Sequence, residues 1–427
     1  MRRFRRATLA AAAGVLTAVP LLSAAGSAGA STSPIQLPDS ALTATTTTLG
    51  GATPLPTDRT LAHWFGTATN PADGVTYGYN MVGADPALNE STTVTTDIIP
   101  INIVVDGVAY NGSDVVGPTL ASPVFADNSY AKTPASTSAA GGFTSGGALS
   151  SASTNNQLED ATMRSQFNKG GTGYHLLLSP VVHPAITIDV PSNQGTLLQT
   201  GRGVVAADIS ISWWSSQLQN LDNTLGYIDP THLPIYLTNN VMLHTGNSPL
   251  NCCVIGYHGA SKVPGNGSGS ANSNGNALVQ TFAWASYVTP GFFNPKSSWA
   301  LQDIHALSHE ISEWADDPFT TNTVEPWLTP TAPQYGCTSL LETGDPVVGI
   351  GFAIGKKGSN TFEQGPTPNG TQVADGYYHP EDEVFLPWFM RSNPSNAEAV
   401  QSGSGGRYTL MGSLNPYPGF RQPATGC

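Results

Sequence analysis

Residues 95–112 read TTDIIPINIVVDGVAYNG, and apolar and polar side chains alternate along this run. Alternation with a period of two predicts a β-strand, and Asp106-Gly107 is typical of a tight hairpin turn. Similar runs predict further strands at residues 174–182, 184–191, 233–243 and 277–288. The strands at 174–182 and 184–191 are expected to be buried. A chain with this many strands has to place them in at least one sheet.

Helical spacing appears between these strands. Residues 155–171 predict a short helix with Asn156 as its N-cap and Gly170 as its stop, and residues 211–226 predict a second helix. Because strands and helices mix along the whole length, the predicted class is α/β or α+β with a mixed sheet. We see no repeat and no clean linker after residue 60. Residues 61–427 are therefore predicted to form a single large domain with long Gly/Ser/Thr-rich loops.

Residues 1–30 are typical of a signal peptide. Four arginines precede an apolar run from Ala7 to Leu22, and Ala28-Gly29-Ala30 is a small-residue cleavage site. We therefore expect a secreted, extracellular protein, in which residues 31–60 form a Ser/Thr/Pro-rich lead-in with little to bury. No later stretch of the sequence is apolar enough to predict a membrane span.

The charge balance argues against anionic partners. The whole chain has 16 basic and 29 acidic residues, and removing the four arginines of residues 1–30 leaves 12 basic ones and a net charge of −17. We therefore expect neither nucleic acid nor an anionic membrane as a partner. The sequence leaves the oligomeric state open.

The chain has four cysteines, Cys252, Cys253, Cys337 and Cys427. An even number in an exported chain predicts two disulfides. Adjacent cysteines rarely bond to each other because the ring is strained. We therefore expect Cys252 and Cys253 each to bond one of the other two, in either of the two pairings.

The run SSWALQDIHALSHEISEWADDP, residues 297–318, combines a helical pattern with many ionisable side chains. Pro318 should end the helix, because the residue before a proline disfavours helical angles. The apolar residues recur at helical spacing and predict one buried stripe, formed by Ala300, Ile304, Leu307, Ile311 and Ala315. Only 11% of the chain is charged, yet two histidines, two glutamates and two aspartates crowd into HALSHEISEWADD. Such like charges repel each other unless a cation compensates them.

On a different face of this helix, His305, His309 and Glu313 follow one another at intervals of one turn. Residues four apart can share a metal ion. Residues eight apart lie about 12 Å apart along the axis, so the site uses either His305 with His309 or His309 with Glu313. The second pair fits the chemistry of zinc hydrolases, in which His309 and Glu313 would bind the ion and Glu310 would act as general base on water.

A third ligand is expected downstream of the helix. The segment LLETGDP, residues 340–346, offers Glu342 and Asp345, either of which fits, and Glu325 is a weaker candidate. Zinc is the expected ion. Calcium is the alternative, because a set of four carboxylates and one histidine is rich in oxygen.

These motifs resemble those of the plant phosphate-induced, Exordium-like proteins and their bacterial secreted relatives. The shared elements are His-Glu-x-x-Glu in SHEISEWADDP, Glu-x-x-Asp in ETGD and a Gly-aromatic-His segment in CCVIGYH, so the likeness covers about residues 230–350. The resemblance implies secretion to the cell-wall space and places His258 near the site, but it implies no settled reaction. The family pattern carries over to His309, Glu310, Glu313, Glu342 and Asp345.

Together these patterns predict a secreted zincin-like metallohydrolase, with a metallopeptidase as the leading form and a peptide or a cell-wall component as substrate. The alternative is a non-catalytic extracellular or cell-wall-associated protein in which the metal only stabilises the fold.

Overall fold

A computed structural model of the chain describes residues 49–55, 60–128, 144–145, 156–199, 205–262, 278–289, 303–328, 337–348, 350–356, 377–393 and 408–410. The predicted signal peptide, residues 1–30, and most of the predicted lead-in lie outside the described residues.

The described residues form a mixed α/β structure with several sheets and five α-helices. In chain order the strands are β1 (Leu49–Gly51), β2 (His63–Thr69), β3 (Thr76–Val82), β4 (Ser91–Val105), β5 (Val108–Asn111), β6 (Thr144–Ser145), β7 (His175–Val182), β8 (Ile186–Asp189), β9 (Gly195–Gln199), β10 (Val205–Ser210), β11 (Leu233–Asn239), β12 (Val241–His244), β13 (Cys252–Val254), β14 (Gly256–Lys262), β15 (Val279–Tyr287), β16 (Thr323–Leu328), β17 (Cys337–Leu340), β18 (Phe352–Lys356) and β19 (Tyr377–Tyr378). The helices are α1 (Val116–Leu120), α2 (Leu158–Gln166), α3 (Ile211–Thr224), α4 (His305–Asp316) and α5 (Leu386–Phe389).

The largest sheet has the strand order β14-β15-β11-β4-β5, and β7 and β8 also pair with β4. β11 runs parallel to both β4 and β15, whereas β5 and β14 are antiparallel to their neighbours, so the sheet is mixed. β4 and β5 form the predicted hairpin. Its two turn residues, Asp106 (φ 50°) and Gly107 (φ 80°), adopt the left-handed conformation that the tight turn requires, so this prediction is confirmed.

Both faces of this sheet are buried, because neighbouring residues of a strand enter different apolar clusters. In β4, Ile98 packs into the cluster that contains the apolar side of α4, and Ile99 packs into the cluster that contains Trp214 and Leu218 of α3. A second sheet, of order β13-β12-β10-β9, contributes apolar residues to both clusters. α4 and α3 therefore cover opposite faces of the largest sheet.

The stripe predicted for α4 is confirmed for the residues that the structure describes. Ile304, Leu307, Ile311 and Ala315 are each no more than 3% exposed and belong to one apolar cluster. The fifth predicted member, Ala300, lies outside the described residues. α4 ends at Asp316, two residues before Pro318, as the proline predicted.

Helix α2 begins later than the sequence suggested. Its N-cap is Gln157 rather than the predicted Asn156. The Asn156 side chain donates to the buried carboxylate of Asp160. The helix ends at Gln166, before the predicted stop at Gly170.

Two strands predicted to be buried are only partly so. β7 buries Leu176 and Leu178 but leaves Val181 and Val182 44% and 46% exposed. The residues of β8 alternate: those that pack against the α3 cluster are half-buried, and those between them are exposed. An apolar run fixes the strand but does not show whether other elements cover it, which is why this expectation was wrong.

The cysteine pairing also differs from the expectation. Cys252 and Cys253 are bonded to each other, with the peptide bond between them in the cis form. The expectation rested on the strain of the ring that adjacent bonded cysteines close, and the sequence contains no sign of the exception. Cys337 is also disulfide-bonded.

Candidate metal centre

Helix α4 has no solvent-exposed face. Each of its residues is buried, and these include Glu310 and Glu313. The helix packs against β14 and β15, and its polar side chains meet β14 and two later segments, residues 342–345 and residues 379–383. Burying a carboxylate is costly unless a hydrogen bond, an opposite charge or a proton compensates it. The contacts of the polar side therefore decide what the helix can do.

His309 and Glu313 face each other one turn apart on α4. His309 Nε2 lies 3.0 Å from Glu313 Oε1, and the backbone N–H of Gly344 donates to the same oxygen. The second ring nitrogen of His309, Nδ1, lies 2.5 Å from Glu381 Oε2. The structure thus brings together the helix pair that the sequence favoured, and it holds the His309 ring between two carboxylates.

Glu310 forms one group with His309 and Glu313, in which one possible ligand atom of each residue lies within 4.8 Å of the other two. Glu310 also approaches β14, where its Oε2 is 3.5 Å from His258 Nδ1. Gly256 leaves room for this carboxylate, because a β-carbon at that position would lie 2.6 Å from Glu310 Oε1. The glycine two residues before His258 therefore has a steric role in the site.

A second group consists of His258, Glu313 and Glu342, and we call it the β14 triad. His258 Nδ1 is 3.5 Å from Glu313 Oε2, so the Glu313 carboxylate lies between two histidines. Glu342 is 1% exposed, and neither of its oxygens has a hydrogen-bond partner among the described residues. Buried polar atoms are rarely left without partners. These two oxygens are therefore suited to a cation or a proton.

A third group consists of His309, Glu381 and Glu383, and we call it the C-terminal triad. The sequence analysis missed both glutamates. A signal for them does exist in HPEDEVF, residues 379–385, because residues two apart in an extended segment point to the same side. Nothing local in that segment shows that it meets α4, so the contact could not be predicted.

The remaining sequence candidates lie at the edge of the centre or outside it. Asp345 Oδ1 is 3.9 Å from His309 Nε2, and its side chain is 23% exposed. His305 Nε2 is 3.2 Å from Glu381 Oε2, and His305 belongs to none of the three groups among the described residues. Glu325 is engaged elsewhere, where its carboxylate pairs with Arg391. Of the downstream candidates, Glu342 alone joins a ligand group of the described residues.

The surplus of buried acid raises the pKa of most carboxyls in the centre. Burial, followed by the neighbouring Glu313 carboxylate, raises the pKa of Glu342, and burial followed by Glu381 raises the pKa of Glu383. Burial also raises the pKa of Glu310, and it raises that of Glu381 to about 7. Burial among like charges therefore favours the protonated form of these carboxyls, and a bound cation would oppose this effect.

Glu313 behaves differently because it lies between two imidazoles. Burial would raise its pKa, but His309 and His258 outweigh burial and hold the pKa of this carboxyl well below its usual range. The same attraction raises the pKa of both histidines although burial alone would lower it. At His305, burial and the neighbouring His309 charge lower the pKa to about 3, so this ring is neutral.

The donor set fits a divalent cation. Each triad offers one imidazole nitrogen and two carboxylates, all buried, and several of their atoms have no hydrogen-bond partner among the described residues. Imidazole nitrogen suits zinc, and carboxylate oxygen also suits harder ions. The buried His/Glu groups can therefore hold a metal ion.

No family model, no curated protein and no solved structure matches the chain. In the part of the chain that the structure describes, no helix is long and apolar enough to cross a membrane. The class is therefore defined by fold and site alone, as a mixed α/β protein with a buried histidine–glutamate centre on α4.

Proposed function

We propose that this chain is a secreted, zincin-like metallohydrolase that acts on peptide bonds. The observation that carries the proposal is the His309–Glu313 pair, 3.0 Å apart on α4, with Glu310 in the same ligand group. The motif resemblance to Exordium-like proteins supports secretion and belongs to the same proposal. It adds no reaction of its own.

In this proposal His309 and Glu313 hold one zinc ion, and Glu342, which shares a possible ligand group with Glu313 and His258, completes the set. The ion, when bound, would supply Lewis acidity towards a carbonyl group and towards water. Calcium would satisfy the oxygen donors but uses the imidazoles poorly. The mixed donor set therefore favours zinc.

Glu310 is the group we assign to proton transfer. Glu310 is adjacent to His309 in sequence. Its Oε2 lies 3.5 Å from His258 Nδ1, so this oxygen takes no part in the 3.0 Å contact between His309 and Glu313. Burial raises the pKa of its carboxyl. A raised pKa brings a carboxylate closer to the operating pH, where a general base works best. Glu310 would take the proton from attacking water and return it to the leaving amine.

One observation favours a second function. Glu310, Glu313 and Glu342 are each no more than 2% exposed, and a site this buried also suits a metal that only stabilises the fold. In that alternative the chain is a non-catalytic extracellular or cell-wall-associated protein. Glu310 is then a further ligand or a spectator.

Replacing Glu310 by glutamine separates the two functions. Glu310→Gln keeps size and some hydrogen bonding but cannot take a proton, a role typically worth about 10²–10⁴-fold in rate. In the enzyme this variant binds zinc and melts like the wild type but loses turnover by that factor on a substrate found in a peptide library. Glu90→Gln, at an exposed glutamate, is the matched control and should keep full activity.

Two outcomes would contradict the proposal. A fall in zinc affinity and melting temperature together in Glu310→Gln would make Glu310 a ligand and the metal structural. A zinc-loaded wild type that cleaves nothing in a broad peptide library would end the peptidase assignment.

A further inference from the structure

The centre contains more carboxylates than one divalent ion needs. The β14 triad (His258, Glu313, Glu342) and the C-terminal triad (His309, Glu381, Glu383) share no residue, yet each offers one imidazole and two carboxylates. Four ionised glutamates carry four negative charges. One divalent ion balances two of them and leaves the other two to repel each other in a buried space.

The buried carboxylate of Glu383 is an independent indication that the C-terminal triad can bind a ligand. It is 3% exposed, and neither of its carboxylate oxygens has a hydrogen-bond partner among the described residues. The preceding residue, Asp382, is equally buried but points elsewhere and accepts a hydrogen bond from the Thr409 hydroxyl over 2.8 Å. Asp382, which faces away from the centre, therefore has a hydrogen-bond partner. Glu383, which faces the centre, has none among the described residues.

The His309 ring is placed so that either nitrogen can bind an ion. If Nδ1 donates to Glu381, Nε2 is the free ligand atom and faces Glu313, which is the single-ion arrangement. If Nε2 donates to Glu313, Nδ1 is the ligand atom and faces Glu381 at 2.5 Å. Carboxylates commonly orient metal-binding histidines in this way, and here a carboxylate stands on each side.

We propose that the centre binds two divalent cations, the first in the β14 triad and the second in a new site formed by His309, Glu381 and Glu383. The four glutamates then balance the two ions. His258 serves the first ion, and His309, which the single-ion arrangement uses for the first, serves the second through Nδ1. Glu310 stays outside this balance and keeps the role proposed above.

This inference rests on the proposed metal centre and extends it to a two-ion site. One nitrogen and two or more carboxylate oxygens per ion suit zinc or manganese. In two-metal sites, ions a few ångströms apart stabilise the attacking and leaving groups together. The second ion also explains why carboxylates from the distant segment 379–383 are buried against α4 at all.

Metal stoichiometry tests the second site directly. The full mature protein, stripped with a chelator and then equilibrated with excess zinc and desalted, should hold two zinc ions per chain by elemental analysis. Glu383→Gln should hold one, because Glu383 makes no hydrogen bond to His309 and its loss leaves the His309 ring oriented by Glu381. Asp382→Asn is the matched control in the same segment and should still hold two.

Manganese gives a second readout that does not depend on activity. Two Mn²⁺ ions in the two neighbouring triads should couple and broaden the spin-resonance spectrum of the wild type, whereas Glu383→Gln should give the spectrum of an isolated ion. The wild-type measurements stand even if a variant misfolds, and near-ultraviolet circular dichroism shows whether it has.

The outcomes separate this inference from the proposed function. One ion in the wild type, with an uncoupled manganese spectrum, would overturn the second site and leave the single-ion enzyme standing. A folded Glu383→Gln that still holds two ions would also overturn it. No ion in the wild type would overturn both.

Discussion

Gly344 lies so close to the His309 imidazole that a β-carbon at this position would overlap the ring. The φ angle of Gly344 is −80°, which any residue can adopt, so the contact with His309 is what selects glycine here. The same residue donates its backbone N–H to Glu313. The glycine of the ETGD motif therefore fixes the distance between the downstream segment and the side chains of His309 and Glu313.

The first prediction follows from this contact. Gly344→Ala should displace His309, lower the affinity for zinc and destabilise the fold by about 1–3 kcal/mol, the usual cost of overpacking. Competition titration with a chelating dye measures the affinity, and thermal unfolding measures the stability. Gly226→Ala is the control, because a β-carbon at Gly226 meets nothing within 4 Å. Equal behaviour of the two variants would contradict the steric role.

The second prediction separates the two possible helix pairs. Glu313→Ala should reduce zinc affinity by more than about 100-fold, since losing a supporting partner alone already costs about 10–100-fold. His305→Ala should stay within about tenfold, because His305 contacts Glu381 and belongs to none of the described ligand groups. If His305→Ala were the more damaging change, the ion would sit one turn earlier on α4, between His305 and His309.

The third prediction concerns pH and a carboxyl outside the centre. Burial raises the pKa of Asp222 from 3.8 to about 7 in the folded protein, although the Tyr236 hydroxyl donates to it. Between these values the folded state binds more protons than the unfolded state, so stability falls as the pH rises. The ionised carboxyl then costs roughly 4 kcal/mol at pH 8, at about 1.4 kcal/mol for each pKa unit.

Asp222→Asn removes this group while its amide oxygen can still accept from Tyr236. We expect the variant to unfold at a higher temperature than the wild type at pH 8 and at a similar one near pH 4. Asp106→Asn, at an exposed aspartate in the hairpin turn, should leave the pH dependence unchanged. A parallel shift of Asp222→Asn at both pH values would show that the carboxyl does not titrate in this range.

The fourth prediction tests export. The secreted protein should begin at Ser31, because the cleavage site predicted from the sequence ends at Ala30. N-terminal sequencing and the intact mass of protein from the culture medium measure this. Protein that keeps residues 1–30, or that stays inside the cell, would contradict secretion.

The fifth prediction concerns the adjacent cysteines. A non-reduced digest should contain the peptide with Cys252 and Cys253 at a mass two hydrogens below that of the dithiol and unattached to any other peptide. Reduction and alkylation should then add two labels to it. Recovery of this peptide cross-linked to the one that contains Cys337 would restore the pairing expected from the sequence.

Much of the site could be predicted because it is local. The spacing of His309, Glu310 and Glu313 on α4, and the apolar stripe that buries the helix, depend only on helical periodicity. The hairpin at Asp106-Gly107 depends only on turn chemistry. In each case the residues that determine the feature lie within a few turns or a few residues of one another.

The rest of the centre depends on contacts that local patterns do not encode. Glu381 and Glu383 follow α4 by more than sixty positions, and only the folded chain shows that they meet His309. The short strand β1 likewise falls inside the predicted lead-in. It is a strand because it pairs with β3, and its own sequence gives no sign of that pairing. The single-domain organisation of residues 61–427 stays a prediction.

The centre is divided among four chain segments, namely β14, α4, residues 342–345 and residues 379–383. A ribosome delivers them in that order, so α4 and its acidic side chains exist well before the segment that carries Glu381 and Glu383. Until that segment arrives, the α4 carboxylates have only part of their native surroundings and remain hydrated. A chain that ends before residue 379 therefore lacks two of the three side chains of the C-terminal triad and cannot complete the centre.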